Sequence, residues 1–344
     1  MDSLKYFKGS LLVVIAGSIA GYYIGGFEAL FLVFVLSVME VSLSFDNAVV
    51  NASVLKEMDA VWRKRFLTWG ILIAVFGMRI LFPVAVVSVI AAVSPWTALQ
   101  IAIDDPSRYQ TLMESSHISL MGFGGTFLLL VGLDFFLSED KDDHWIPLVE
   151  RPLLHAGKLK FAAEILTVLS VLLIAGVYLP EESQYSFVAS GACGILAFTL
   201  IHKLAEAMES NEESRVEGSA ATNVAKSGLG MFLYLEVLDA SFSFDGVIAA
   251  FAISTNLFII AIGLGIGAMF VRSLTIMLVE KNTLEEYRYL EHGAFYAIIA
   301  LAVIMYLKTF IHIPELITGL IGAGFITLAF AHSLIVNNKK VAEA

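Results

Sequence analysis

Residues 28–53 read EALFLVFVLSVMEVSLSFDNAVVNAS, and residues 228–253 read GLGMFLYLEVLDASFSFDGVIAAFAI. In each, an acid near the middle precedes a Ser-x-Ser-Phe-Asp run: Glu40 with Asp46, and Asp239 with Asp245. Both stretches exceed the roughly 20 apolar residues a helix needs to cross bilayer hydrocarbon. An ionised acid held there costs at least ~2.5–3.5 kcal/mol. Glu236, one turn before Asp239, adds a fifth acid. A chain that twice accepts this cost is using the carboxylates.

The rest of the chain supports a membrane setting. Of its 344 residues, 58% are hydrophobic and 15% charged, with a mean hydropathy of +0.82. Soluble domains are far more polar. The net charge of −11 is the wrong sign for a nucleic-acid partner. The single cysteine, Cys193, rules out a disulfide or a thiolate metal site within one chain. The two lysines ahead of the first apolar run resemble a secretory signal. That run passes Tyr22 and Tyr23 into the next apolar stretch with no polar segment between them, so a retained first span is expected.

Apolar runs of spanning length fall at about 5–26, 28–53, 66–92, 117–138, 161–180, 185–207, 228–253, 256–279, 289–310 and 313–336. The fold expected is all-α: a polytopic membrane protein of about ten transmembrane helices. Of the 21 lysines and arginines, Arg108 and Lys308 fall on one face of this arrangement and Arg79 and Arg272 inside spans. All others share the opposite face, which the positive-inside rule assigns to the cytoplasm together with both termini. The lipid partner is then a cell inner or plasma membrane. The motif helices are the second and seventh spans, so they run in opposite directions. Opposed copies of one pattern are the mark of inverted-topology repeats with a binding site at the midplane. The repeats are taken as residues 1–160 and 161–344. Each motif span is followed by one bearing glycine and an arginine, FGMR ending at Arg79 and GAMFVR ending at Arg272.

Residues six apart on a helix are turned by about 240°, so Glu40 and Asp46 do not share a face. Either they serve different surfaces or the helix opens between Ser42 and Asp46, and a local break is expected in each motif. Glu40, Ser44, Asn47 and Asn51 do share a stripe. Five acids against Arg79 and Arg272 leave an excess of negative charge, which a bound divalent cation with protons would remove. The candidate metal ligands are Glu40, Asp46, Asn47, Glu236, Asp239 and Asp245, supported by Ser44, Asn51 and Ser243. Arg79 and Arg272 serve as countercharges for the empty site, and protons as the counter-ion. An oxygen-only donor set suits Mn²⁺, Ca²⁺ or Mg²⁺, whereas Zn²⁺ and copper recruit His or Cys. The divalent ion is thus a substrate of a non-enzymatic carrier working by alternating access. Two other readings compete with it. A proton-coupled transporter of a small organic solute keeps the fold. An intramembrane aspartyl protease would pair Asp46 with Asp245, but the Gly-x-Gly-Asp run of such proteases is lacking.

The stretch EVSLSFDNAVV resembles the Glu-x-x-Leu-Ser-x-Asp-Asn signature of the TerC/Alx integral membrane family. The length and the second copy, DASFSFDGVIAA, are closer to a bacterial branch of that group catalogued as a domain of unknown function. The resemblance extends over most of residues 28–336 and rests on the two motifs. It implies a relation to the LysE-type transporter superfamily, export of manganese or a related divalent ion from the cytoplasm, and a historical link to tellurium resistance. The second copy departs from the signature, with Asp239 for Glu and Gly246 for Asn47.

Other features are read more plainly. The acidic run Glu139, Asp140, Asp142, Asp143 with His144 is expected to be a solvated loop. His202, Glu206 and Glu209 mark a helix leaving the membrane. The run GLGIGAMF at 263–270 has small residues spaced for close helix packing.

Overall fold

A helix of 40 residues, α1 (Leu4–Leu43), would span about 60 Å if straight. It is not straight. Gly25 (φ −153°, ψ 26°) and Gly26 (φ 65°, ψ −148°) leave the helical region, the second in a conformation open essentially to glycine alone. The chain doubles back there: a methyl group built on Gly21 would stand 3.0 Å from Val33 Cγ2, although the same residues in a straight helix lie roughly 18 Å apart. The first two expected spans are therefore the limbs of one hairpin.

The computed structural model describes residues 4–138, 144–213 and 228–343. The side chains of residues 204–213, of Asp245 and of scattered others within those ranges lie outside the described set. After α1 come α2 (Phe45–Glu57), α3 (Ala60–Leu72), a π-helical segment (Ile73–Leu81) and α4 (Phe82–Ile90). The short α5 (Pro95–Asp104) and α6 (Pro106–Ser115) start at side-chain caps from Ser94 and Asp105. Then follow α7 (His117–Leu137), α8 (Pro147–Gly157), α9 (Ala162–Tyr178), α10 (Glu181–Glu213), α11 (Gly228–Ile253), α12 (Leu257–Glu280), α13 (Thr283–Glu286), α14 (Leu290–Lys308) and α15 (Glu315–Glu343). The described residues contain no strand.

Among the described residues, six helices are long and apolar enough to cross a membrane, or seven if α8 and α9, bent by 107°, form one span. This is a multi-pass membrane protein. The 161–180 run yields α9 of only 17 residues, which reaches spanning length only with α8, and three further sources complete the difference from ten. The hairpin α1 counts once, the π-helical segment divides the 66–92 run, and α11 carries three acids, Glu236, Asp239 and Asp245.

Segment ends expected to share a face do meet. Lys56 at the end of α2 pairs with Glu291 at the start of α14 at 3.2 Å. Asn337 Nδ2 of α15 donates to the Glu286 carbonyl at 2.8 Å. At the other end of the bundle Tyr178 stacks on Phe310 with centroids 4.8 Å apart, and Tyr109 meets Phe251 at 5.5 Å.

The helix α12 contacts both limbs of α1. On the first limb the Ser10 and Ser273 hydroxyls share a hydrogen bond of 2.7 Å. On the second, Ser37 Oγ donates to the Gly263 carbonyl at 3.0 Å. The approach depends on the small residues of α12. A methyl on Gly263 would stand 2.5 Å from Leu36 Cβ, and one on Gly267 2.5 Å from Glu40 Cβ. Of the motif helices, α1 and α2 pack on α12, and α11 packs chiefly on α10 and α7, with the π-helical segment and α3 also against it.

Candidate metal centre

The sequence break expected in the first motif is present as a bend at Ser44 (φ −109°, ψ 17°), between α1 and α2. Ser44 N still donates to the Glu40 carbonyl at 3.0 Å, and Ala48 N to the Ser44 carbonyl at 3.3 Å. The helix is kinked rather than unwound. The second motif differs from the expectation: α11 runs unbroken through its copy.

Glu40, Ser44, Asn47 and Asn51 line one cavity of about 40 Å³, as their shared stripe predicts. From α11 come Glu236 and Asp239, and from the arginine-bearing segments Arg79 and Arg272. Glu40, Asp239 and Arg79 meet directly. The Arg79 guanidinium, 3% exposed, pairs through Nη2 with Glu40 Oε1, and its Nη1 lies 3.9 Å from Asp239 Oδ2. Ser44 Oγ donates to Glu40 Oε1 at 3.1 Å. Asn47 Nδ2 donates to Asp239 Oδ1 at 2.6 Å. Arg79 projects from the π-helical segment, whose widened turns re-aim side chains and recur at functional sites.

The acids fit because glycines face them. A methyl on Gly246 would lie 3.2 Å from Glu40 Oε2, and one on Gly70 3.2 Å from Glu236 Oε1. The position that is Asn47 in the first copy is therefore the space for Glu40 in the second. Arg272 Nη2 donates to the Phe66 carbonyl at 3.0 Å, and its guanidinium lies 5.9 Å from that ring centroid.

Acceptors outnumber donors around the cavity. Both Glu236 oxygens, Asp239 Oδ2, Asn47 Oδ1 and Asn51 Oδ1 are buried without a hydrogen-bond donor. Unmet acceptors in a low-dielectric interior are costly, and a cation or donor-bearing species lowers that cost. At about 40 Å³ the cavity accommodates an ion with a water or two.

The full ligand set expected does not assemble. Asp46 is buried but points away from the cavity: its Oδ1 accepts from Asn47 N at 3.0 Å, and its Oδ2 would be 3.0 Å from a methyl on Gly322 of α15. The 240° offset from Glu40 survives the kink. Ser243 is buried in α11 and is not among the described lining residues. The Asp245 side chain lies outside the described residues. Among described residues no three His, Cys, Asp or Glu are placed to hold a metal ion together; in this arrangement Arg79 holds the place between Glu40 and Asp239. Phe66, Gly70 and Thr275 also line the cavity and were not singled out by the sequence; no charge marks them. Of the peripheral features, residues 139–143 and the side chains of Glu206 and Glu209 lie outside the described residues, and His202 is exposed.

A family model described as a protein of unknown function, DUF475, matches residues 45–340. No curated protein matches the chain, and no solved structure matches it.

Proposed function

We propose that this chain, which belongs to the DUF475 family, carries a hard divalent cation, Mn²⁺ before Ca²⁺, across the membrane by alternating access through the cavity around Glu40 and Asp239. One observation carries the reading. A positive group, the Arg79 guanidinium, bridges the acids of the two motif copies, at the level where a cation would be shared between them.

In this account Arg79 and the metal ion are alternatives. When Arg79 withdraws, the Glu40, Asp239 and Glu236 carboxylates receive the ion, and the unmet amide oxygens of Asn47 and Asn51 supply neutral ligands. When the ion leaves, Arg79 returns, so the empty carrier does not reorient with bare charge in hydrocarbon. Protons taken up by the remaining carboxylates balance the return step. All donors are oxygens, the set that Mn²⁺, Ca²⁺ and Mg²⁺ accept. The resemblance of Glu40–Asn47 to the TerC/Alx signature favours manganese and export. The basic-residue asymmetry supports cytoplasmic termini. The cavity's small volume favours an ion over an organic solute.

The test is Mn²⁺ flux into proteoliposomes loaded with a metal-quenched dye. Wild type is expected to transport Mn²⁺, and Glu40→Gln and Asp239→Asn to lose transport while still folding. Flux equal to wild type in both variants would overturn the assignment.

A further inference from the structure

Away from the cavity, at the end of the bundle that carries the Lys56–Glu291 pair, a second buried acid is found. Glu150 of α8 is 2% exposed. Its Oε1 accepts from Trp145 N at 3.2 Å, Ile146 N at 3.0 Å and the Tyr296 hydroxyl at 3.1 Å. Three donors on one oxygen fill its capacity to accept. The other oxygen, Oε2, faces two imidazoles and takes no hydrogen bond from either. His144 Nδ1 lies 3.3 Å away and His292 Nε2 3.5 Å away. Imidazole is the side chain that changes charge near neutral pH. A proton on either ring turns a dipolar contact into a charge pair with a buried anion.

We propose that Glu150, His144 and His292 form a proton-binding latch that fastens residues 144–146 and α8 to α14. The elements packed here bring other ionisable groups, and among the described residues no lysine or arginine forms an ion pair with Glu150. Tyr296 of α14 donates to Oε1. His332 of α15 accepts from Trp145 Nε1 at 3.0 Å and stacks on Tyr289 at 4.9 Å. Phe135 of α7 closes the far side of His292 at 5.4 Å, and Glu291 is taken by Lys56. A proton therefore supplies the countercharge. A metal ion does not fit as well, since no described trio of His, Cys, Asp or Glu is placed to bind one. With a proton bound the latch is closed. Without it, Glu150 keeps its backbone donors but loses its hold on α14 through the imidazoles.

Hydrogen–deuterium exchange of the full-length protein in lipid nanodiscs tests this, read on peptides covering 144–157 and corrected for the chemical pH dependence of exchange. Opening of that segment is expected to rise about tenfold per pH unit as one linked proton is lost. Protection of 117–137 in α7 should stay constant. The His144→Gln/His292→Gln variant is expected to exchange identically at pH 6.5 and pH 8. Glu150→Gln, which keeps an acceptor for Trp145, Ile146 and Tyr296, should do the same. A wild type with no corrected pH dependence would overturn the latch, and so would either variant retaining it.

Discussion

The two motif copies share a spelling and fold differently. In the first, the helix kinks at Ser44 and Asn47 reaches across to Asp239. In the second, α11 stays continuous, and Gly246, at the position matching Asn47, leaves space for Glu40. The arginines that follow diverge in the same way. Arg79 leaves a π-helical turn and bridges both acids, whereas Arg272 leaves a regular helix and is tied to the Phe66 carbonyl. Two copies of one sequence pattern have thus built an unsymmetrical site: the first supplies the amide, the segment after it the bridging charge, and the second copy the room.

The sharpest way to break this comparison is to treat the arginines alike. Arg79→Gln removes the partner of a buried carboxylate, a change worth about 3–5 kcal/mol when the remaining charge stays unpaired. Arg272→Gln should cost clearly less. Thermal unfolding in detergent would show it, and equal losses would end the claim that Arg79 alone bridges. Next in size is Asn47→Ala, which deletes the 2.6 Å bond to Asp239 and should destabilise by about 1.5–3 kcal/mol. The reciprocal change, Gly246→Ala, crowds Glu40 Oε2 with a methyl at 3.2 Å. It should cost about 1 kcal/mol, and its effect should vanish in a Glu40→Ala background. Smallest of all is Asp46→Asn. Because that carboxylate faces α15, Mn²⁺ binding should change by less than about threefold (under 1 kcal/mol), in equilibrium dialysis where Asp239→Asn weakens it strongly.

Much of this was legible before coordinates. The apolar runs anticipated an all-α chain of membrane-length helices, because hydrocarbon length acts on the sequence directly, though ten runs became six or seven such helices among the described residues. The stripe Glu40, Ser44, Asn47 and Asn51 followed from helical spacing alone. What escaped depends on relations between helices. Nothing in the string of residues says that Gly246 faces Glu40, or that the segment around Arg79 adopts π geometry. The fate of Asp46 was open because a kink at Ser44 could have undone the 240° offset, and a mild bend did not. Glu150 went unmarked because its partners, His144 and His292, are far apart in the chain and only packing joins them.

The central claim is that a divalent cation takes the place of Arg79 between Glu40 and Asp239. Titrating purified protein with Mn²⁺ while following the electron paramagnetic resonance signal of the free ion measures this most directly. The account predicts saturable binding that weakens by about a hundredfold or more in both Glu40→Gln and Asp239→Asn. Binding of wild-type strength in both variants would contradict it.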